Sequence, residues 1–166
     1  MRTTDRQKVG IFLALLVLAI SLLQPVPEAR ADGSAQDKEV LEAVDKVAPT
    51  VEEIAKKLWN LSEVSLLEIK SSAYLKDLLK NNGFTITSDK AAGVPTSFVA
   101  EFGKGEPKLG ILLEYDALPG LGNAPVPEKQ ARKDGVTAGH GCGHNLIGAR
   151  AMGAAQIAPT RRPLSS

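Results

Sequence analysis

The sequence predicts an α/β fold, the N-terminal part of a helix-flanked sheet. Three observations point there. Between Lys38 and Asn81 apolar residues recur at helical spacing. From Phe84 to Phe102 the period shortens to two. From Leu109 to Tyr115 the chain is apolar nearly throughout, the pattern of a central strand covered on both faces.

The elements follow in order. Arg2, Arg6 and Lys8 precede an apolar run from Val9 to Leu23, which is too short to span a bilayer by the usual measure of about 20 residues. Pro25 and Pro27 end it, and Ala29-Arg30-Ala31 supplies a small-x-small cleavage site. Residues 1–31 therefore read as a signal peptide, which places the mature chain outside the cytoplasm, secreted or periplasmic. The alternative is an uncleaved membrane anchor over residues 9–23, the only route by which a membrane enters the reading. Residues 32–37 read as a flexible lead-in.

Val40, Leu41, Val44 and Val47 begin the first helical stripe at Lys38. Pro49 suits a first helical turn, which pushes Ala48 out of the α region and predicts a new start there. Val51, Ile54, Ala55, Leu58 and Trp59 continue the stripe. A second helix is expected over 66–81, closed by Asn82-Gly83. Strands are expected over 84–88, 97–102 and 109–115, with 103–107 as a hairpin loop between the last two. Residues 117–139 form a long irregular loop of the length that is usually functional or disordered. A final helix is expected over 146–156, with Asn145 as its N-cap and small residues facing the sheet. Residues 158–166 change character and read as an irregular, abrupt tail.

The 166 residues carry a net charge of +1, with 43% hydrophobic and 23% charged side chains, which describes an ordinary globular chain of about one domain. Neither a net field nor a basic run points to nucleic acid. The single cysteine, Cys142, excludes a disulfide within the chain.

Chemistry concentrates in one segment. Both histidines, His140 and His144, flank Cys142, with glycines between them. In an extended segment alternate residues share a side, and the glycines leave the backbone free to let them converge. Thiolate and imidazole suit zinc and its neighbours, so His140, Cys142 and His144 are candidate metal ligands. A plainer account makes Cys142 a small buried hydrophobe and has the histidines cap a turn. A third account is an exported α/β domain with a redox-sensitive thiol. Asp116, at the carboxyl end of the expected central strand, is a candidate support for the metal or else a turn-forming aspartate. Glu114 falls on the same side as Asp116.

Glu114-Tyr115-Asp116-Ala117-Leu118-Pro119-Gly120 and Gly139-His140-Gly141-Cys142-Gly143-His144-Asn145-Leu146-Ile147-Gly148 together resemble the amidohydrolase branch of the aminoacylase and carboxypeptidase-G type metallopeptidases. The upstream helix pair and Gly93–Ala100 fit that family's opening, so the resemblance covers residues 38–156. It implies a zinc-peptidase type catalytic domain with a zinc or manganese site. The implied activity is hydrolysis of the amide bond of N-acyl amino acids, aminobenzoyl-glutamate-like compounds or small peptides. Cys142 and His144 resemble metal ligands of that family, Asp116 resembles the aspartate that supports them, and His140 matches a family position. Relatives run to about three times this length. Their glutamate base, further histidine ligands and dimerising lid domain have no counterpart here. The resemblance therefore implies a truncated chain, inactive by itself. The alternative is a non-catalytic exported domain that binds a metal or a partner.

The leader gives a first test. Mass spectrometry of the exported chain is expected to find an N-terminus at Asp32, and a chain retained in membranes and beginning at Met1 would refute cleavage.

Overall fold

A computed structural model describes residues 35–157, and the expected leader over 1–31 and tail over 158–166 lie outside them. Helix α1 spans Ala35–Leu61 and helix α2 spans Ile69–Asn81. Strands β1 (Thr85–Asp89) and β2 (Phe98–Glu101) follow, and helix α3 (His144–Ile157) closes the described chain. The α/β class is as expected.

Helix α1 starts at Ala35, so residues 35–37, expected as lead-in, are helical. It also runs through Pro49 without the expected break. An internal proline forfeits one backbone hydrogen bond and crowds the preceding turn. Packing on both sides of Pro49 offsets this, because Val47 and Val51 lie against Gly153 of α3. The α1–α3 pairing is the most extensive between elements of the fold. Ile54, Ala55 and Leu58 of α1, Leu75 and Leu79 of α2, and Ala149 and Met152 of α3 form the core. The small residues of α3 thus admit a helix rather than the expected sheet.

Helix α2 begins three residues later than expected. The Glu63 carboxylate accepts the backbone N–H groups of Lys70 (3.1 Å) and Ser71 (2.7 Å) and the Ser71 hydroxyl (2.7 Å), serving donors that a new helix leaves without partners. At its other end the Phe84 N–H bonds Leu79 O and the Gly83 N–H bonds Lys80 O, both at 3.0 Å. This is the Schellman pattern, and Gly83 takes the left-handed conformation it requires, with φ 83°.

Strands β1 and β2 pair antiparallel, Thr85 opposite Glu101 and Asp89 opposite Phe98, with an irregularity between Ile86 and Ser88. Ile86, Phe98 and Ala100 turn toward the helices. The expected central strand over 109–115 is not formed, and 103–107 is not a hairpin loop. Leu113 and Tyr115 pack on the core, whereas Leu109 and Leu112 are 87% and 89% exposed. A central strand needs hydrogen-bonded neighbours on both edges, and among the described residues β1 and β2 pair only with each other.

The 117–139 loop is irregular, as expected, but tied down. Ala117 bridges to Val64, and Leu118 exchanges both backbone bonds with Gly139, at 2.9 and 3.0 Å. Arg132, 9% exposed, donates to Trp59 O (2.9 Å) and Asn60 O (3.0 Å), stacks over the Trp59 ring and pairs with Asp134.

Two outcomes follow from this packing. A Cβ at Gly148 would meet Glu114 O at 2.9 Å and Leu58 Cδ1 at 3.2 Å, where neither the backbone nor the core can yield freely. Gly148→Ala is therefore expected to destabilise by about 1–3 kcal/mol despite alanine's better helix propensity, read as a lower thermal midpoint. A raised midpoint would contradict the packing. The Arg132 guanidinium hydrogen bond lowers the Asp134 pKa from 3.8 to about 2. A lowered folded-state value means that this stabilisation is present above pH 3.8 and lost as pH falls toward 2. Asp134→Asn should lessen the acid sensitivity of unfolding in that window, as monitored by circular dichroism, and an unchanged acid limb would count against the pair.

Candidate functional site

The segment around Cys142 is a turn rather than an extended run. The Gly141 N–H bonds Gly139 O (3.0 Å) and the Gly143 N–H bonds His140 O (2.9 Å), after which α3 starts at His144. The glycines serve close approach as well as rotation: a Cβ at Gly139 would lie 2.1 Å from Leu121 O. Turning the chain separates the three candidate ligands.

His140 points back to α1. Its Nε2–H donates to Leu58 O at 3.0 Å, and its Nδ1 is buried without a partner among the described residues. Burial lowers its pKa, which favours the neutral ring. His140 therefore anchors the turn. Asn145, expected as an N-cap, lies within α3, is buried, and donates to Ala55 O at 3.3 Å. Gly143 O accepts the first bonds of that helix instead, from Leu146 and Ile147.

His144 faces two carboxylates. Its Nδ1 lies 2.7 Å from Asp116 Oδ1, and its Nε2 lies 3.0 Å from Glu114 Oε2. An imidazolium donates to both; a neutral ring that donates from Nδ1 to Asp116 keeps the Nε2 lone pair. Both carboxylates stand at the first turn of α3, where the helix dipole favours negative charge. Cys142 is free and exposed, which removes the reading of it as a small buried hydrophobe.

The donor set suits a divalent transition metal: an imidazole with a carboxylate behind Nδ1, and a thiol two residues earlier. The Nε2 to Oε2 separation of 3.0 Å also matches two atoms sharing an ion at bond lengths of about 2.0–2.2 Å. Among the described residues, no three His, Cys, Asp or Glu side chains close around one point. A cleft of about 280 Å³ opens beside His140, between Trp59, Leu121, Asn123, Pro125 and Arg132.

Sequence reading passed over Arg132, Glu63 and Asn145 as site-building residues. The polar stretch around Arg132 gave no local sign of its partner, because the carbonyls it serves lie 72 and 73 residues upstream.

No family model matches the chain. Over 103 residues it is 38% identical to the B component of the p-aminobenzoyl-glutamate hydrolase of Escherichia coli (strain K12), a match that takes in 62% of this chain and 21% of that protein. The chain thus spans about one fifth of the length of the curated relative it matches. The resemblance to a p-aminobenzoyl-glutamate hydrolase component is borne out over those 103 residues: the chain is similar to that protein.

Proposed function

We propose that this chain carries the N-terminal ligand segment of a metal-dependent amidohydrolase. Its substrate class is the amide bond of N-acyl amino acids, aminobenzoyl-glutamate-like compounds or small peptides. The observation that supports this best is the His144 ring, held at Nδ1 by Asp116 and following an exposed Cys142 in the glycine-rich turn. The hydrolase activity named for the similar protein agrees with it.

Cys142 and His144 would hold the ion, zinc or manganese. When bound, such an ion supplies Lewis-acid polarisation of a scissile carbonyl and lowers the pKa of water. Asp116 accepts from Nδ1 and fixes the ring, which would leave the Nε2 lone pair for the ion. Glu114 lies beside that nitrogen. His140 supports the turn through Leu58 O rather than ligating. The cleft beside Trp59 and Pro125 offers apolar walls for a substrate group.

Residues 35–157 by themselves leave the ion open to solvent. Asp116 is engaged with Nδ1 and Glu114 would stand at the ion beside Nε2, so on this reading neither is a separate base. On this reading residues 35–157 alone would not turn over substrate. Export by cleavage after Ala31 completes the reading.

Cobalt substitution tests the metal. The full chain is expected to bind Co²⁺ with a thiolate charge-transfer band, at an affinity well below that of a closed four-ligand site. Cys142→Ser should abolish the band and His144→Ala should weaken binding. Unchanged stoichiometry in Cys142→Ser would refute the ligand assignment. The zinc- or manganese-loaded chain should show no turnover on a panel of N-acyl amino acids; turnover that disappears in Asp116→Asn would show a complete site.

A further inference from the structure

We propose that Tyr115, braced through Thr96 on the buried carboxylate of Glu68, is a positioning residue that holds Glu114 and Asp116 against His144. The inference rests on reading His144 as the ligand-bearing side chain.

Glu114 and Asp116 reach opposite nitrogens of one ring. Their placement depends on where the 109–116 segment sits along its own length, because a shift of one residue would bring Tyr115 and Ala117 to the ring instead. Backbone bonds hold only its carboxyl end, where Ala117 N–H bonds Glu63 O and Leu118 pairs with Gly139; upstream of Ala117 the segment has no strand partner among the described residues, and its side chains must hold it there. Its side-chain hydrogen bonds there are the two carboxylate contacts to His144 and one other, the Tyr115 hydroxyl donating to Thr96 O. Tyr115 leaves the face opposite its two neighbours and enters the core beside Phe98, with ring centroids 6.3 Å apart.

The far end of the brace is unusual. Glu68 precedes the first residue of α2, yet its side chain makes no capping bond there, and Glu63 serves those amides instead. Glu68 is 6% exposed, and its carboxylate accepts the Thr96 hydroxyl at 2.5 Å across 28 residues of chain. Thr96 is 5% exposed. Burying a carboxylate is costly, and no local need of α2 accounts for it. Its partner is the residue whose carbonyl receives Tyr115. The three groups form one connected path from the start of α2 to the residue between the two site carboxylates. Burial above all also pushes the Tyr115 phenol up to about 12, so the hydroxyl remains a donor throughout the neutral range.

The test uses the full chain without metal first. The His144 Nδ1–H resonance, protected by Asp116, is read by proton and nitrogen NMR. Tyr115→Phe and Thr96→Val are expected to broaden or shift it away. Thr96→Ser, which keeps the hydroxyl, should restore it. Leu113→Ala removes core packing from the same face and serves as a control for stability loss alone; it should leave the resonance in place. Co²⁺ affinity should fall about tenfold in Tyr115→Phe, the scale expected when a group supporting a ligand is lost. An unchanged resonance in both Tyr115→Phe and Thr96→Val, at whatever stability, overturns the proposal. So does a resonance lost equally in Leu113→Ala. If the unaltered chain binds no Co²⁺, the metal reading fails while the resonance still decides the positioning role.

Discussion

The carboxyl end of helix α1 is the constraint on which the rest of the structure depends. A helix leaves its last carbonyls without backbone partners, and its dipole makes that end negative. Besides the backbone bond from Ser62 N–H to Leu58 O, they are met by side chains, most of them from far along the chain. Leu58 O accepts His140, Trp59 O accepts Arg132 and Ser62, and Asn60 O accepts Arg132. One turn earlier, Ala55 O accepts Asn145. A single helix end therefore gathers the long loop, the glycine-rich turn and the start of α3. Arg132 suits this role because one planar guanidinium can meet two carbonyls, an aromatic face and a carboxylate together.

The site inherits its geometry from that anchoring. His140 and Asn145, on either side of Cys142 and His144, are both hooked to α1. The turn between them has little freedom left, and His144 is delivered to the residues just before Ala117. That segment is fixed from its own side by Val64, Gly139 and Glu63, since Ala117 N–H bonds Glu63 O at 2.8 Å. Glu63 thus serves the first turn of α2 with its side chain and the site segment with its carbonyl.

The two-stranded sheet leaves a consequence at the surface. Leu109, Ile111 and Leu112 are exposed, on a stretch whose apolar character is that of an interior strand. The packing face of the same stretch, Leu113 and Tyr115, is in place against the helices. Side-chain packing on one face is enough to fix the residues next to the site. It is not enough to close the backbone hydrogen bonds of residues further from it.

The sequence by itself determined the type of four elements and singled out the segment in which the candidate ligands cluster. Helical spacing marked α1 and α2, period two marked β1 and β2, and the joint presence of His140, Cys142, His144 and Asp116 marked the site. These are local signals, set by side-chain spacing and ligand chemistry over a few residues. Only the tertiary structure decided which of the four come together. His144 joins Asp116 and Glu114, while His140 goes to Leu58 O and Cys142 faces solvent. It also carried α1 through Pro49, withheld the strand at 109–115, and placed Asn145 on α1 rather than at a cap. The reason is common to all of them. A buried carbonyl, an unpaired strand edge and a helix-packing glycine are satisfied by partners tens of residues away, and no local pattern of residues records which partner that is.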